Sequence, residues 1–495
     1  MICISIAQES RRMALVDMLN AAGQCDLLEI RLDRFDKAPD ISELLARKPK
    51  PIIFSCRRQQ DGGAWQGSEA ERLALLRQCI VSKADYVEIE LDSADEIRKF
   101  PPAKRVITYT NLKETPSNIA EIYERAQTKN PDVIKLATVA RAPEEAWPLL
   151  HILSKPAVPT VAFGLGKPGV MLSVLGKKIG APWTYAALEK GMEAYPGQPT
   201  VRELEEIYHY REIDRSTKLI GVTGFGEREY VTVGIMNALL ATQALPIRCL
   251  PLAMGNISLF HKMLEAVHLQ AVIVDEDHRG PVLSIATSLD DPAQQSQAVD
   301  LLRRKEKKWR GYNLLGKASQ SALEAAMRGK SAAEEPLRGR VVMIVGVNAT
   351  ARMLAFEIKE RGGMIVLASH DRAAAQQLAQ TLECRHVQFE ALYSTMHDVL
   401  IVCDREVDQQ RGKAQAGAAG LHAGYLRHGM TVMDLTASIR KSRLLRDAEV
   451  RGCNVVLPRV VLREQLAVQF RKITGQDPSF ELLDERLNAL LGDEE

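Results

Sequence analysis

Residues 132–140 read DVIKLATVA. The run is short and rich in β-branched and apolar side chains, so it reads as a strand. Lys135 stands in its middle. An ammonium buried without a partner is costly, and burial disfavours its charged form. A strand that keeps such a residue needs a partner charge for it or a use for the amine.

Outward from this strand, the first 190 residues repeat one rhythm. Short β-rich runs at 2–7, 27–33, 51–57, 86–92, 105–111, 133–139, 160–166 and 184–188 alternate with amphipathic stretches such as SEAERLALLRQCIVSKA, 68–84. Strands alternating with helices predict βαβ units and a parallel sheet. Eight such units in under about 250 residues predict a closed (β/α)8 TIM barrel, placed here over 1–212. Working residues in that architecture sit at the C-terminal ends of the strands. Those ends carry Glu29 and Arg31, Arg57, Glu88 and Glu90, and Lys135 on the sixth strand.

The rhythm changes after AYPGQPTVRELEEIYHYREIDRST, 194–217. A strand begins again at KLIGVTGF, 218–225, and opens a second α/β domain over 213–330. GKSAAEEPLRGR, 329–340, reads as a linker. RVVMIVGVNATARMLAFEIKERGGMIVLASHD, 340–371, is strand, turn, helix, strand, the first half of a dinucleotide fold. VLIVCD and TVMDLT supply later strands and a helical tail closes the chain, giving a Rossmann-like domain over 331–495.

Composition narrows the function classes. The 495 residues are 46% hydrophobic and 26% charged, with a formal net charge of +2 and both signs interspersed. That balance makes no electrostatic case for nucleic acid or a membrane surface. No apolar run approaches the roughly 20 residues of a membrane span. MICISIAQES lacks the basic start and long apolar core of a secretory signal, so a cytoplasmic protein is expected. The eight cysteines are scattered, with no CxxC and no Cys/His pair at zinc spacing. Reduced, mostly buried thiols and no metal are expected.

Lys135 has two readings on the residues alone. A desolvated lysine can form a Schiff base with a ketone, and the imine then acidifies the neighbouring carbon. Alternatively it snorkels to the rim or pairs with Glu88 or Glu90. Arg31 and Arg57 offer forks for a carboxylate or hydroxyls, or belong to a rim network with Glu29.

EIRLD, SCR followed by GG, an IKLAT strand and PGQPTV before a second α/β domain resemble type I 3-dehydroquinate dehydratase. The continuation resembles shikimate dehydrogenase, and the order is similar to the fused bifunctional enzyme of the shikimate pathway. The resemblance implies that Lys135 forms the imine and that Glu29, Arg31, Arg57 and Gln198 bind substrate. It implies 3-dehydroquinate, then 3-dehydroshikimate and shikimate, as substrates, with NADP as cofactor.

The departures fall on chemistry. The family's acid/base histidine falls on Thr110 in TYTNLKETPS, and a threonine hydroxyl does not titrate near neutrality. Its carboxylate-gripping arginine falls on Ser173, with Lys167, Lys177 and Lys178 as nearby substitutes. The only histidines in 1–212 are His151 and His209. In the second half the Ser-x-Ser pair falls on Tyr230 and Thr232. No lysine occurs in 271–290, where Asp277 or His278 lies nearest the catalytic position. GYNLLG keeps Asn313 but puts Leu315 at the partner aspartate, while Gln465 matches a substrate-contacting glutamine. The nucleotide turn becomes GVNATAR, which keeps Gly346 but loses the following glycines and puts Asn348, Ala349 and Thr350 at the cofactor, while His370 falls at the position for the 2′-phosphate, beside Asp371, which would repel it. Three readings follow: a bifunctional enzyme with both activities impaired, a lysine-dependent enzyme with a dead reductase half, or a non-catalytic metabolite-binding scaffold.

Overall fold

The computed structural model describes residues 1–328, 335–403, 421, 423–436 and 439–492. Contacts divide the chain into two units, Met1–Lys218 with Pro246–His268, and Leu219–Leu245 with Leu269–Glu495.

The first unit is an eight-stranded parallel barrel. Its strands are β1 (Ile2–Ile6), β2 (Leu27–Arg31), β3 (Ile52–Ser55), β4 (Tyr86–Glu90), β5 (Lys104–Asn111), β6 (Val133–Val139), β7 (Thr160–Leu165) and β8 (Thr184–Ala186). They lie in the order β7-β6-β5-β4-β3-β2-β1-β8, so every expected strand is present. The barrel is near-closed: β7 and β8 end the sheet order. Helices follow most strands, and Ser68 starts the one at Glu69–Val81 with a capping box completed by Glu71. The link from β4 to β5 departs from the expected rhythm. It is a run of turns containing Pro101 and Pro102, which cannot donate to a helical ladder.

Period-two alternation decides what the barrel encloses. Cys3, Leu27, Ile53, Val106, Val133, Ala137, Val161, Phe163, Trp183 and Tyr185 form one buried cluster. Lys135 shares the parity of Val133 and Ala137 on β6, so it points into the same interior. Its register partners are Thr108 on β5 and Val161 on β7. β10 (Ile247–Leu252) and the helix Ile257–Ala266 count with this unit by contact.

The second unit holds two sheets. In the first, β9 (Lys218–Thr223), β11 (Leu269–Ile273), β13 (Leu301–Lys305), β14 (Lys308–Tyr312) and β12 (Ser288–Leu289) follow one another, with β13 antiparallel to both neighbours. The last sheet is parallel throughout. It comprises β15 (Val341–Val345), β16 (Met364–Ser369), β17 (Arg385–Gln388), β18 (Val399–Val402), β19 (Thr431–Asp434) and β20 (Asn454–Val456). Its order, β17-β16-β15-β18-β19-β20, is that of a doubly wound dinucleotide fold, whose switch point lies between β15 and β18. Two apolar clusters, around Ile344 and around Val345, cover its two faces. Residues 329–334 of the expected linker and Asp404 of VLIVCD lie outside the described residues. The expected C-terminal helices occupy Pro458–Thr474 and Phe480–Leu491.

Candidate functional site

Lys135 is 1% exposed, and its charge is matched from two strands. Its Nζ lies 2.6 Å from Glu88 Oε2 on β4 and 3.5 Å from Glu29 Oε1 on β2. The Tyr185 ring on β8 lies 4.6 Å from Nζ, and the Phe163 ring 5.9 Å. Glu90, the other carboxylate the sequence offered, is held instead by Arg72 at 2.6 Å. Burial, partly offset by that arginine, pushes Glu90 up to about 7.

The arginines complete a charged layer. Arg57 Nη2 donates to Glu29 Oε1 at 2.5 Å, and its Nε lies 3.5 Å from Glu88 Oε1. Burial raises the Glu29 carboxyl, but Arg57, Lys135 and Arg31 together hold it well below the usual carboxylate range. Ser5 also donates to Glu29. Arg31 grips Asp33 through two bonds of 2.9 and 2.6 Å. Asp33 in turn accepts from the backbone N–H groups of Arg57 and Ala64. The SCRRQQDGG loop is thereby folded back on the strand it leaves. A Cβ at Gly63 would meet the Arg57 carbonyl oxygen at 1.9 Å, so only glycine fits there.

A cavity of about 580 Å³ opens above Lys135, with Arg31, Arg57, Thr110 and Gln198 in its lining. The structure thus brings together five of the six expected barrel residues in one cavity wall, with Glu29 directly beneath as their counter-ion. Gln198 is held by the Ala194 N–H, which donates to its Oε1 at 2.6 Å. Thr110 reaches the cavity from β5 but brings no titratable group. Ser173 is buried in the helix Val170–Ile179 and is not in the cavity wall. Lys177 and Lys178 donate to backbone carbonyls, at 3.0 Å from Tyr210 and 3.1 Å from Arg215, and are likewise outside that wall.

Sequence reasoning missed four residues. Asp33 orients Arg31 from within EIRLD, and only the guanidinium two residues earlier hints at it. Arg34 lines the cavity with its side chain 44% exposed and no carboxylate nearer than Asp33 at 4.0 Å. Tyr185 and Tyr195 bring buried hydroxyls without partners, and burial raises both phenols, so they stay protonated donors. The Tyr195 ring stacks on Phe163 at 5.3 Å.

The second unit has its own cavity, of about 590 Å³. Thr232, Leu315, Gln465 and Thr350 line it, as do Arg228 and Arg279. Asp277 lies in its wall, whereas His278 pairs with Asp275 at 2.7 Å. The cation that this segment brings to the cavity wall is Arg279, one residue beyond those the sequence singled out. A guanidinium stays protonated and cannot exchange a proton as an amine can. Asn313 is buried, and its Oδ1 accepts from the Gly316 N–H at 3.1 Å, starting the helix Leu315–Arg328. Gln465 bridges the site, accepting from Arg228 at 2.6 Å and donating to Asp300 at 2.8 Å.

The nucleotide turn keeps its shape. Gly346 has φ +107°, which favours glycine, and Asn348 caps the helix Ala349–Glu360 by accepting from the Ala351 N–H. The Thr350 hydroxyl accepts from Arg279, which turns it toward the cavity just described. At the end of β16, His370 stacks on Phe389 at 4.1 Å, and Asp371 caps the helix Arg372–Leu382. Arg372 is exposed beside them, with no ion pair recorded for it among the described residues. A glycine turn, a helix N-terminus and a nearby free cation fit a phosphorylated dinucleotide. No group of three or more potential metal ligands occurs among the described residues.

A buried lysine between two carboxylates, beneath a layer of guanidiniums, defines a parallel α/β barrel with a paired amine at the floor of its cavity. Residues 2–215 match the model of the type I 3-dehydroquinase family, and through them the chain belongs to that family. The 3-dehydroquinate dehydratase of Methanopyrus kandleri is 33% identical over 37% of this chain and 86% of its own length. The chloroplastic bifunctional 3-dehydroquinate dehydratase/shikimate dehydrogenase of Arabidopsis thaliana is 27% identical over 91% of this chain and 78% of its own. A shikimate dehydrogenase solved with NADP+ matches 57% of this chain and 98% of its own, at 21% identity and a TM-score of 0.49.

Proposed function

We propose that the chain is a bifunctional shikimate-pathway enzyme: its barrel dehydrates 3-dehydroquinate through an imine on Lys135, and its second unit reduces 3-dehydroshikimate. The observation that carries the first activity is the amine, buried mid-strand with Glu88 at 2.6 Å and an open cavity above it. Glu88 is placed to take the ammonium proton. The free amine then attacks the ketone, water leaves, and a cationic imine forms. That cation draws electrons from the adjacent carbon, so its proton is lost and the β-hydroxyl departs as water. Arg57, Arg31 and Gln198 hold the ring's polar groups, and Tyr185 and Tyr195 supply neutral donors. Hydrolysis of the product imine regenerates Lys135.

Turnover is slow on this reading. No imidazole stands at Thr110, and an acid/base group is typically worth about 10²–10⁴ in rate. In the second unit, NADPH would supply the hydride, held by the Gly346 turn, the helix starting at Ala349 and the Arg372 guanidinium. Leu315 and Arg279 leave the proton of that reduction without the usual donor pair, which favours a second reading: a working barrel beside a weak or dead reductase. A cytoplasmic location agrees with eight unpaired cysteines and with the lack, among the described residues, of a helix long and apolar enough to cross a membrane.

Borohydride reduction in the presence of 3-dehydroquinate, followed by peptide mass spectrometry, tests the barrel. A mass addition on Lys135 is expected. An unlabelled Lys135 under conditions where substrate binds would sink the imine.

A further inference from the structure

The cations in the wall of the barrel cavity are Arg31, Arg34, Arg57 and Lys135, and they differ in what already holds them. Lys135 has Glu88 at 2.6 Å, and Arg57 has Glu29 at 2.5 Å. Arg31 is gripped by both oxygens of Asp33. These three cations and three carboxylates cancel. For Arg34 the nearest carboxylate among the described residues is also Asp33, 4.0 Å from its Nε. Both Asp33 oxygens are engaged: each accepts from Arg31, one also from the Arg57 N–H and the other from the Ala64 N–H. The carboxylates of the wall itself are held elsewhere, Asp61 accepting from Arg58 at 2.6 Å and Asp17 from Gln8 at 2.5 Å. Arg34, with its side chain 44% exposed, is therefore the wall guanidinium whose donors no carboxylate accepts.

An anion that enters a cavity loses water and needs donors that are not already engaged. The planar fork of an arginine offers a carboxylate two parallel N–H groups. The position of Arg34 suits that task. It ends the short turn Leu32–Arg34 that leaves β2, and β2 stands four places from β6 in the eight-strand order, on the opposite wall. A ring whose ketone faces Lys135 on β6 turns its far substituents toward β2. We propose that Arg34 is the specificity-determining residue of the barrel, pairing with the carboxylate of the ring ketone that Lys135 attacks. This rests on the reading of the barrel as the dehydratase site and adds the residue that selects an acid there. Recognition of the anion is thereby moved to the end of the second strand, since Ser173, Lys177 and Lys178 stand outside the wall.

Arginine modification of the full chain by phenylglyoxal, followed by peptide mass spectrometry, reads Arg34 directly. The probes are quinate, a hydroxylated ring acid without the ketone, and quinate methyl ester. Quinate is expected to protect Arg34, and the ester to leave it reactive. In a second arm, the 3-dehydroquinate concentration that half-saturates borohydride labelling of Lys135 should rise about 10- to 100-fold in Arg34→Gln, the weight of a hydrogen bond to a charged group. Arg34→Lys should recover part of the loss. The extent of labelling at saturating 3-dehydroquinate should not change, a split between affinity and chemistry that a merely structural role would not give. Equal protection by acid and ester, no protection by either, or an unchanged half-saturation in Arg34→Gln would overturn the assignment. Protection of Arg34 by quinate alone, with Lys135 unlabelled by 3-dehydroquinate, would overturn the imine reading and leave the role of Arg34 standing.

Discussion

The two cavities handle buried cations in opposite ways. In the barrel every cation near Lys135 has a carboxylate: Arg57 with Glu29, Arg31 with Asp33, and Lys135 itself with Glu88. In the second unit Arg228 and Arg279 contact only an amide and a hydroxyl. A neutralised layer is already settled before a ligand arrives and leaves a single reactive group, the amine. The second unit's guanidiniums instead share their cavity wall with the carboxylates of Glu227, Glu229, Asp275, Glu276 and Asp277. The first arrangement leaves the amine as the group that can attack a ketone, and the second leaves guanidinium N–H groups facing the cavity.

Removing the amine should break the contrast most severely. Lys135→Ala should abolish borohydride trapping and reduce dehydration beyond the roughly 10²–10⁴ of an acid/base group, read by absorbance of the enone product. Restoring an imidazole comes next. Thr110→His should raise dehydratase kcat by about 10- to 100-fold if proton transfer limits it. An unchanged kcat would move the limiting step elsewhere.

Stability should distinguish the cavities too. Glu29→Ala takes the nearest carboxylate from Arg57, leaves Arg57 and Lys135 to share Glu88, and should cost about 3–5 kcal/mol in urea denaturation. Glu29 is held well below the usual range in the folded protein, so its contribution is present above its unfolded pKa and lost as pH falls through the folded one. Glu29→Gln should therefore flatten the acid limb of stability against pH. The smallest effect belongs to the nucleotide turn. Arg372→Ala should weaken NADP relative to NAD by about tenfold, the lower range for a hydrogen bond to a charged group.

The barrel was legible because alternation and charge disagree in one place. Six apolar neighbours in DVIKLATVA make Lys135 visible, and the strand ends expose Glu29, Arg31 and Arg57. What pairs with what was not legible. Glu88 and Glu90 share a strand face, yet one meets Lys135 and the other Arg72, a choice set by a helix 18 residues upstream. Arg279 escaped notice because it lies past β11 in a segment of short turns, where no periodicity says which side chain turns inward. Arg372 was hidden because Asp371 beside it reads as repulsion, whereas that carboxylate is spent on capping a helix.

The carboxylates beneath Lys135 have a consequence for timing. Glu29 and Glu88 compensate a positive charge at one point in space, and the imine formed from Lys135 restores that charge at the same point. The covalent adduct is then as well accommodated as the resting ammonium, while no imidazole stands at Thr110 to hasten its hydrolysis. Release becomes the slow exit from a comfortable state. An enzyme of this construction spends most of its cycle occupied, and mass spectrometry of the working enzyme should find the adduct as its principal form.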